Sequence, residues 1–383
     1  MIKVNVCLRE INLINSGMSV YANEIIRRLG PGLALRGTAS WAGHLRSGYH
    51  PSEYARFTFP VRLARLPDWL LYDYATSAKH RFLRGLIRPF LHGDYNFLAR
   101  DNESDVFVFF SNHVPDFPVE GKVITCLHDI LPLHAKSGEF VSIYKKFLKN
   151  VIEKSTKIIT VSEFSKRDIM DYFHIDGKQI DVVHSAVNVE SFSARCSNPE
   201  SIRAKYNLPE KYILYFGTCG PRKNVESVIQ AYAHLLETVR KEYALVITNP
   251  TAAVKACAVE NNVTPCYVHG VSAEDKAAVY QMASVLVWPS LYEGFGLPVI
   301  EAQAAGTPVV CSNVTSLPEV AGNAAVLVEP KDTEAIAAAI ESSLYDTPFR
   351  QNLIAKGHEN VKRFTWDDAA KRFRDVLLSL EER

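Results

Sequence analysis

The chain has 383 residues, 47% hydrophobic and 22% charged, and its 43 Lys and Arg against 42 Asp and Glu leave a net charge of +1. That length accommodates two domains of ordinary size, the composition excludes a disordered or fibrous chain, and the charge gives no global pull toward nucleic acid. The 7 cysteines are scattered with no CxxC pair, which predicts reduced thiols in a cytoplasmic protein rather than a disulfide frame or a zinc site. The first apolar residues are interrupted by Arg9-Glu10 too soon for a signal peptide, and no apolar run is long enough to span a bilayer.

In chain order, residues 3–8 predict a first strand and residues 15–19 a small-residue turn. Val20, Ala22, Ile25, Ile26 and Leu29 then recur at helical spacing. A strand, a loop and a helix open a Rossmann-like unit. Gly17-Met18-Ser19 is not a nucleophile elbow, because Tyr21 stands where the second glycine is required. Between residues 46 and 100, Arg56, Arg62, Arg65, Lys79, Arg81, Arg84, Arg88 and Arg100 alternate with Phe57, Phe59, Trp69, Tyr72, Tyr74, Phe82 and Phe90. Such a segment suits either an anionic membrane surface or a packed helix with solvated arginines. No RNP or KH motif accompanies it, which speaks against RNA.

Residues 105–110 and 122–127 predict parallel strands, and the second ends in His128-Asp129. The carboxyl end of a strand is where open α/β sheets place ligand groups. A helix over 139–153, a strand over 157–161, a helix capped by Ser162 and a strand over 180–183 follow. Polar residues 190–198 read as linker. A strand over 212–216 then runs into Gly217-Thr218-Cys219-Gly220-Pro221-Arg222-Lys223-Asn224, and one helix continues through Ala231, Leu235 and Val239. Strands over 244–248 and 266–269 come next, and Gly270-Val271-Ser272 opens another helix. After a strand over 284–288, the pattern predicts strands at 308–311 and 325–328, a loop at 313–318, and helices at 333–345, 348–363 and 366–380.

The chemistry is centred on Tyr292-Glu293-Gly294-Phe295-Gly296-Leu297-Pro298-Val299-Ile300-Glu301. Pro298 suits a first helical turn, and glycines just ahead of a helix expose N–H groups at the positive end of its dipole, an anion site. Glu293 before the turn and Glu301 inside the helix add two carboxylates. This set suits a ligand with phosphates and hydroxyls, such as a sugar nucleotide. Arg222 and Lys223, also ahead of a helix, would meet a diphosphate with two cations.

These residues resemble glycosyltransferase family 4, whose signature is Glu-Gly-Phe-Gly-Leu-Pro followed by a second Glu. Pro221-Arg222-Lys223-Asn224 resembles the branch that includes bacterial O-antigen mannosyltransferases, and Val161-Ser162-Glu163-Phe164-Ser165 is also typical of the family. The chain departs from the family pattern at Ser16, where the first of two glycines is usual, at Gly220, where glutamate is frequent, and at His184-Ser185-Ala186, where Pro-Asn-Gly is usual. The resemblance implies an α/β protein of the GT-B fold, two Rossmann-like domains facing each other across a cleft. Residues 1–188 would form the acceptor-side domain, 189–210 a linker, 211–364 the nucleotide-sugar domain, and 365–383 a final helix crossing back.

It further implies a retaining hexosyltransferase of surface polysaccharide synthesis. The donor would be a nucleoside diphosphate sugar, GDP-mannose as first choice, with dTDP-rhamnose or a UDP-sugar behind it. The acceptor would be a glycan or lipid-linked glycan at the inner face of the membrane. His128, Arg222, Lys223 and Glu293 would carry catalysis. Gly17, Thr218, Gly270, Val271, Gly294, Phe295, Gly296, Leu297 and Glu301 would bind the donor with Arg222, Lys223 and Glu293, and His128 would line the reaction centre. No cofactor or metal is expected, because Asp-x-Asp is absent. Two rivals are a donor hydrolase or epimerase of the same fold and a catalytically silent sugar-nucleotide-binding subunit.

Overall fold

The computed structural model describes residues 2–7, 17–29, 33–38, 103–110, 119–134 and 139–381. Ser16 and the basic, aromatic stretch of 46–100 lie outside the described residues. The described chain divides into two compact units.

The first unit holds residues 1–161, 166–183 and 367–383. Its elements are β1 (Ile2–Cys7), α1 (Gly17–Arg28), β2 (Leu33–Thr38), β3 (Val106–Phe109), β4 (Lys122–Cys126), α2 (Glu139–Lys154), β5 (Lys157–Thr160), α3 (Glu163–Phe173) and β6 (Ile180–Val182). The strands form one parallel sheet in the order β2-β1-β3-β4-β5-β6, with Val4 opposite Val106, Phe107 opposite Val123 and Ile158 opposite Ile180. Parallel sheets are buried on both faces, which is why Val106–Phe109 is apolar at every position and buried throughout. Leu127, Ile130, Leu148, Ile152, Ile169 and Ile180 pack on the sheet as one core. The C-terminal segment belongs to this unit. Phe373 stacks on Phe110 at 5.3 Å, and Arg28 Nε donates to Asp367 at 2.8 Å.

The second unit holds residues 162–165 and 184–366. Residues 190–198, expected as linker, are partly helical: α4 (Val189–Ser193) starts at Asn188, whose side chain accepts from the Ser191 N–H. Then come α5 (Pro199–Tyr206), β7 (Tyr212–Tyr215), α6 (Val225–His234) and α7 (Glu237–Glu242). The single helix expected through Val239 is therefore two, because Leu235 and Leu236 both leave helical geometry, with ψ of 148° and 146°. They are followed by β8 (Ala244–Thr248), α8 (Ala252–Glu260), β9 (Cys266–Val268), α9 (Lys276–Gln281), β10 (Val285–Trp288), α10 (Leu297–Ala304) and β11 (Val309–Ser312). The unit continues with α11 (Leu317–Ala321), β12 (Val326–Val328), α12 (Thr333–Tyr345) and α13 (Thr347–Asn360), and α14 (Trp366–Ser379) then leads into the first unit. α9 begins at Lys276, later than the Gly270-Val271-Ser272 turn expected to open it.

This sheet is also parallel, in the order β12-β11-β10-β7-β8-β9. From β7 the chain builds outward through β8 and β9. It then returns to the other side of β7 with β10 and builds the opposite way. Strand order therefore reverses between β7 and β10. In open α/β sheets the crevice at the carboxyl ends of such a pair is where ligands bind.

Candidate active site

Both segments singled out in the sequence leave the sheet at that reversal. Tyr215 and Trp288 end their strands stacked at 5.1 Å. Gly217 follows β7 at φ +151°, and a Cβ there would lie 2.9 Å from the Trp288 ring. Glycine is thus required both for its backbone and for the closeness of the indole. Pro221–Lys223 form one 3-10 turn, ended by Asn224 in the left-handed conformation. The Asn224 amide donates to the carbonyls of Pro289 and Pro330, at 2.9 and 2.6 Å. The Leu291 N–H donates to the Arg222 carbonyl at 2.8 Å. The basic turn after β7 is thereby bonded to the loop after β10.

The side chains complete the junction. Arg222 Nη1 donates to the Tyr292 carbonyl and to Glu293 Oε2, both at 3.0 Å. Lys223 Nζ lies 2.5 Å from Glu293 Oε1 and 4.6 Å from the centroid of the Trp288 ring. Glu293 is buried between two cations. Arg222 is 38% exposed and Lys223 12%, so the guanidinium is the more accessible. Cys219, in the same loop, has its thiol pushed up to about 11 by burial and offers no thiolate.

Backbone hydrogen bonds fix the turn ahead of α10. The Glu293 N–H donates to Thr315 Oγ1 at 3.1 Å, and Ser316 Oγ donates to the carbonyls of Glu293 and Phe295. The Gly294 carbonyl accepts from Ser162 Oγ at 2.7 Å and Ser165 Oγ at 3.2 Å. Gly296 sits at φ +101°, where a Cβ would approach Leu317 Cδ2 to 2.5 Å. Leu297 and Pro298 then start α10, whose first N–H groups have no acceptor within the helix.

Glu301 lies on α10, buried, and its carboxylate is engaged on both oxygens. Lys276 Nζ pairs with Oε1, and Tyr280 Oη donates to Oε2 at 3.0 Å. Burial pushes the Tyr280 phenol well up, so it donates as a neutral hydroxyl. Thr218 is exposed at the end of β7, and its carbonyl accepts from Tyr215 Oη at 2.9 Å. Gly270 takes φ +62° after β9, next to Val271.

His184, at a departure from the family pattern, has Nε2 3.2 Å from Glu319 Oε1. Glu319 also accepts from the N–H groups of Glu163 and Phe164. Burial alone would raise this carboxyl, but these hydrogen bonds outweigh it and hold the group below its ordinary value.

His128 and Gly17 belong to the first unit. Gly17 is the first residue of α1. The His128 ring stands edge-on to Tyr21 at 4.9 Å, and its Nε2 is buried with no partner among the described residues. Burial lowers it from 6.5 to about 4, so the ring is neutral at pH 7. The second unit thus brings Arg222, Lys223 and Glu293 into one cluster, with Glu301 in a second. The sequence reading missed Lys276, Tyr280, Trp288 and Glu319, and had Ser162 and Ser165 only as a helix cap and part of a family motif. Lys276 and Tyr280 stand four residues apart, on one face of a helix, and that spacing was the available signal.

Residues 198–360 match the family of glycosyl transferases group 1, and residues 56–191 match glycosyltransferase family 4. The O-antigen chain mannosyltransferase B of Escherichia coli is 34% identical over 271 residues, 67% of this chain and 71% of that protein. The chain belongs to glycosyltransferase family 4. The O-antigen chain mannosyltransferase RfbU of Salmonella typhimurium is 29% identical to this glycosyltransferase over 250 residues, 63% of this chain and 65% of that one. The serotype-specific mannosyltransferase WbdA of Escherichia coli is 29% identical over 69% of this chain, but the match spans only 35% of that protein. Among solved structures, Anabaena HepE in complex with UDP and glucose superposes with a TM-score of 0.75 at 13% identity, over 99% of this chain and all of that one. WaaG, involved in lipopolysaccharide biosynthesis, gives a TM-score of 0.73 at 17% identity, over 97% and 99%. The glycosyltransferase has the GT-B fold. No helix among its described residues is long and apolar enough to cross a membrane.

Proposed function

We propose that this enzyme moves a hexose from a nucleoside diphosphate sugar, with GDP-mannose as first choice, to a hydroxyl of a growing surface glycan, and that the anomeric configuration is retained. The observation that carries the reading is the Arg222–Glu293–Lys223 cluster at the reversal of strand order. The mannosyltransferase relatives favour the sugar and the glycan acceptor.

The difficult step is departure of the diphosphate as charge grows on its oxygens. Two fixed cations and the N–H groups starting α10 would take up that charge, and no metal is needed. Glu293 holds both cations in place and presents its carboxylate to the donor sugar. Glu301 accepts hydrogen bonds from the ribose. The departing phosphate takes the acceptor proton on the same face of the sugar, so no protein nucleophile is required. The acceptor is a glycan or a lipid-linked glycan.

A panel of GDP-mannose, dTDP-rhamnose and UDP-glucose, each with and without a glycan acceptor, tests the reading. Acceptor-dependent turnover of GDP-mannose to an axial mannoside is expected. Turnover that ignores the acceptor would identify a hydrolase or epimerase. Binding of the donors without turnover would identify a silent subunit.

A further inference from the structure

The ion pair between Lys276 and Glu301 lies apart from the Arg222–Glu293–Lys223 cluster, and its two members differ in exposure. The Glu301 side chain is 8% exposed and that of Lys276 is 30%. The carboxylate is therefore the inner member and the ammonium the outer one. Tyr280, fully buried behind them, takes one carboxylate oxygen. Lys276 Nζ is flanked by Phe216 at 5.6 Å and Phe192 at 5.9 Å from the ring centroids, and Phe216 packs on Tyr280 at 4.9 Å. The two rings bracket the ammonium. Glu301 is its one hydrogen-bond partner among the described residues.

An ammonium carries three N–H donors and a carboxylate about four acceptor positions, so this pair retains both capacities side by side. A ligand that offers an adjacent donor and acceptor satisfies both at once. A vicinal diol does so: one hydroxyl donates to the carboxylate while the neighbouring oxygen accepts from the ammonium. A lone hydroxyl satisfies only one. Neutralising a buried carboxylate would by itself explain a lysine here, but Tyr280 and burial do not require the cation to be the outer member.

We propose that Lys276 is a specificity residue that, together with Glu301, chelates the 2′,3′-diol of the donor ribose and so selects ribonucleotide over 2′-deoxyribonucleotide donors. The inference rests on the reading of Glu301 as the ribose-binding carboxylate. It excludes dTDP-sugars and leaves GDP- and UDP-sugars.

Calorimetric titration of the full chain with GDP, UDP and their 2′-deoxy analogues tests it. The unmodified protein should bind the better ribonucleotide about 10- to 100-fold more tightly than its 2′-deoxy form. Lys276→Met should lower that ratio to below about 5-fold, chiefly by weakening the ribonucleotide, and Lys276→Arg should keep it high. Equal binding of the ribo and deoxy forms to the unmodified protein overturns the proposal with no variant needed. A ratio that Lys276→Met leaves unchanged also overturns it. If neither nucleotide binds in either form, the donor-site reading falls and this inference falls with it. Tight binding with no discrimination sinks the inference alone.

Discussion

Lys223 Nζ touches Glu293 Oε1 at 2.5 Å from the turn that follows β7, 70 residues earlier in the chain. The contact exists because β7 and β10 are neighbours, and it buries a carboxylate whose second oxygen is held by Arg222. Removing one partner of a buried ion pair leaves an uncompensated charge. Lys223→Met is expected to lower stability by about 3 kcal/mol, whereas Lys223→Met combined with Glu293→Gln should recover most of it. Urea unfolding of the single and double variants reads the coupling. Equal midpoints for Lys223→Met and the unmodified protein would show that Arg222 alone suffices.

The two carboxylates should separate kinetically. Hydrogen bonds to ribose are alike in ground and transition states, so Glu301→Gln should raise the donor KM by about one to two orders of magnitude. Glu293→Gln should lower kcat while nucleoside diphosphate binding stays nearly intact. Steady-state kinetics and calorimetry on both variants decide it, and the reverse pattern would exchange the assigned roles.

Turnover is expected to survive EDTA. Arg222 and Lys223 converge at the strand reversal, and the chain has no Asp-x-Asp to hold a metal-bound diphosphate. Loss of activity on chelation, restored by a divalent cation, would rule out the metal-free mechanism.

Gly296→Ala should cost about 2 kcal/mol, since its positive φ and the 2.5 Å approach of an added Cβ to Leu317 Cδ2 act together. Thermal melting reads the loss. Pairing it with Leu317→Ala should return only the steric part, because the backbone conformation remains unfavourable.

His128 gives the fold an acid weakness. Its folded value of about 4 lies below the ordinary 6.5 because of burial, so the unfolded chain binds the proton more readily. Stability should be unaffected by this ring above pH 6.5 and should fall as pH drops from 6.5 toward 4. His128→Phe should flatten that part of the profile. An unchanged slope would show that the ring takes up its proton without strain.

The strands were legible because a sheet buried on both faces demands apolar runs, as in Tyr212–Tyr215 and Val285–Trp288. β2 was not, since Arg36 and Gly37 break its pattern and its place in the sheet comes from pairing with β1. The break at Leu235–Leu236 was hidden because both leucines fit a helical apolar spacing, and backbone angles alone reveal it. In the site, Arg222, Lys223, Glu293 and Glu301 could be read from local patterns of charge and glycine. Their partners could not. Ser162 reaches the Gly294 carbonyl across 132 residues of sequence, and the carboxylate paired with Lys276 sits on a different helix. Such contacts are set by strand order, which no local window contains.

The Lys223 ammonium against Trp288 also gives the site a fluorescence signal. Indole emission responds to a cation held over the ring, and Trp288 is one of only 4 tryptophans in the chain. A diphosphate arriving beside the ammonium would offset that charge at the ring. Donor engagement should therefore register in the intrinsic fluorescence of the unlabelled enzyme, and Trp288→Phe should silence the signal.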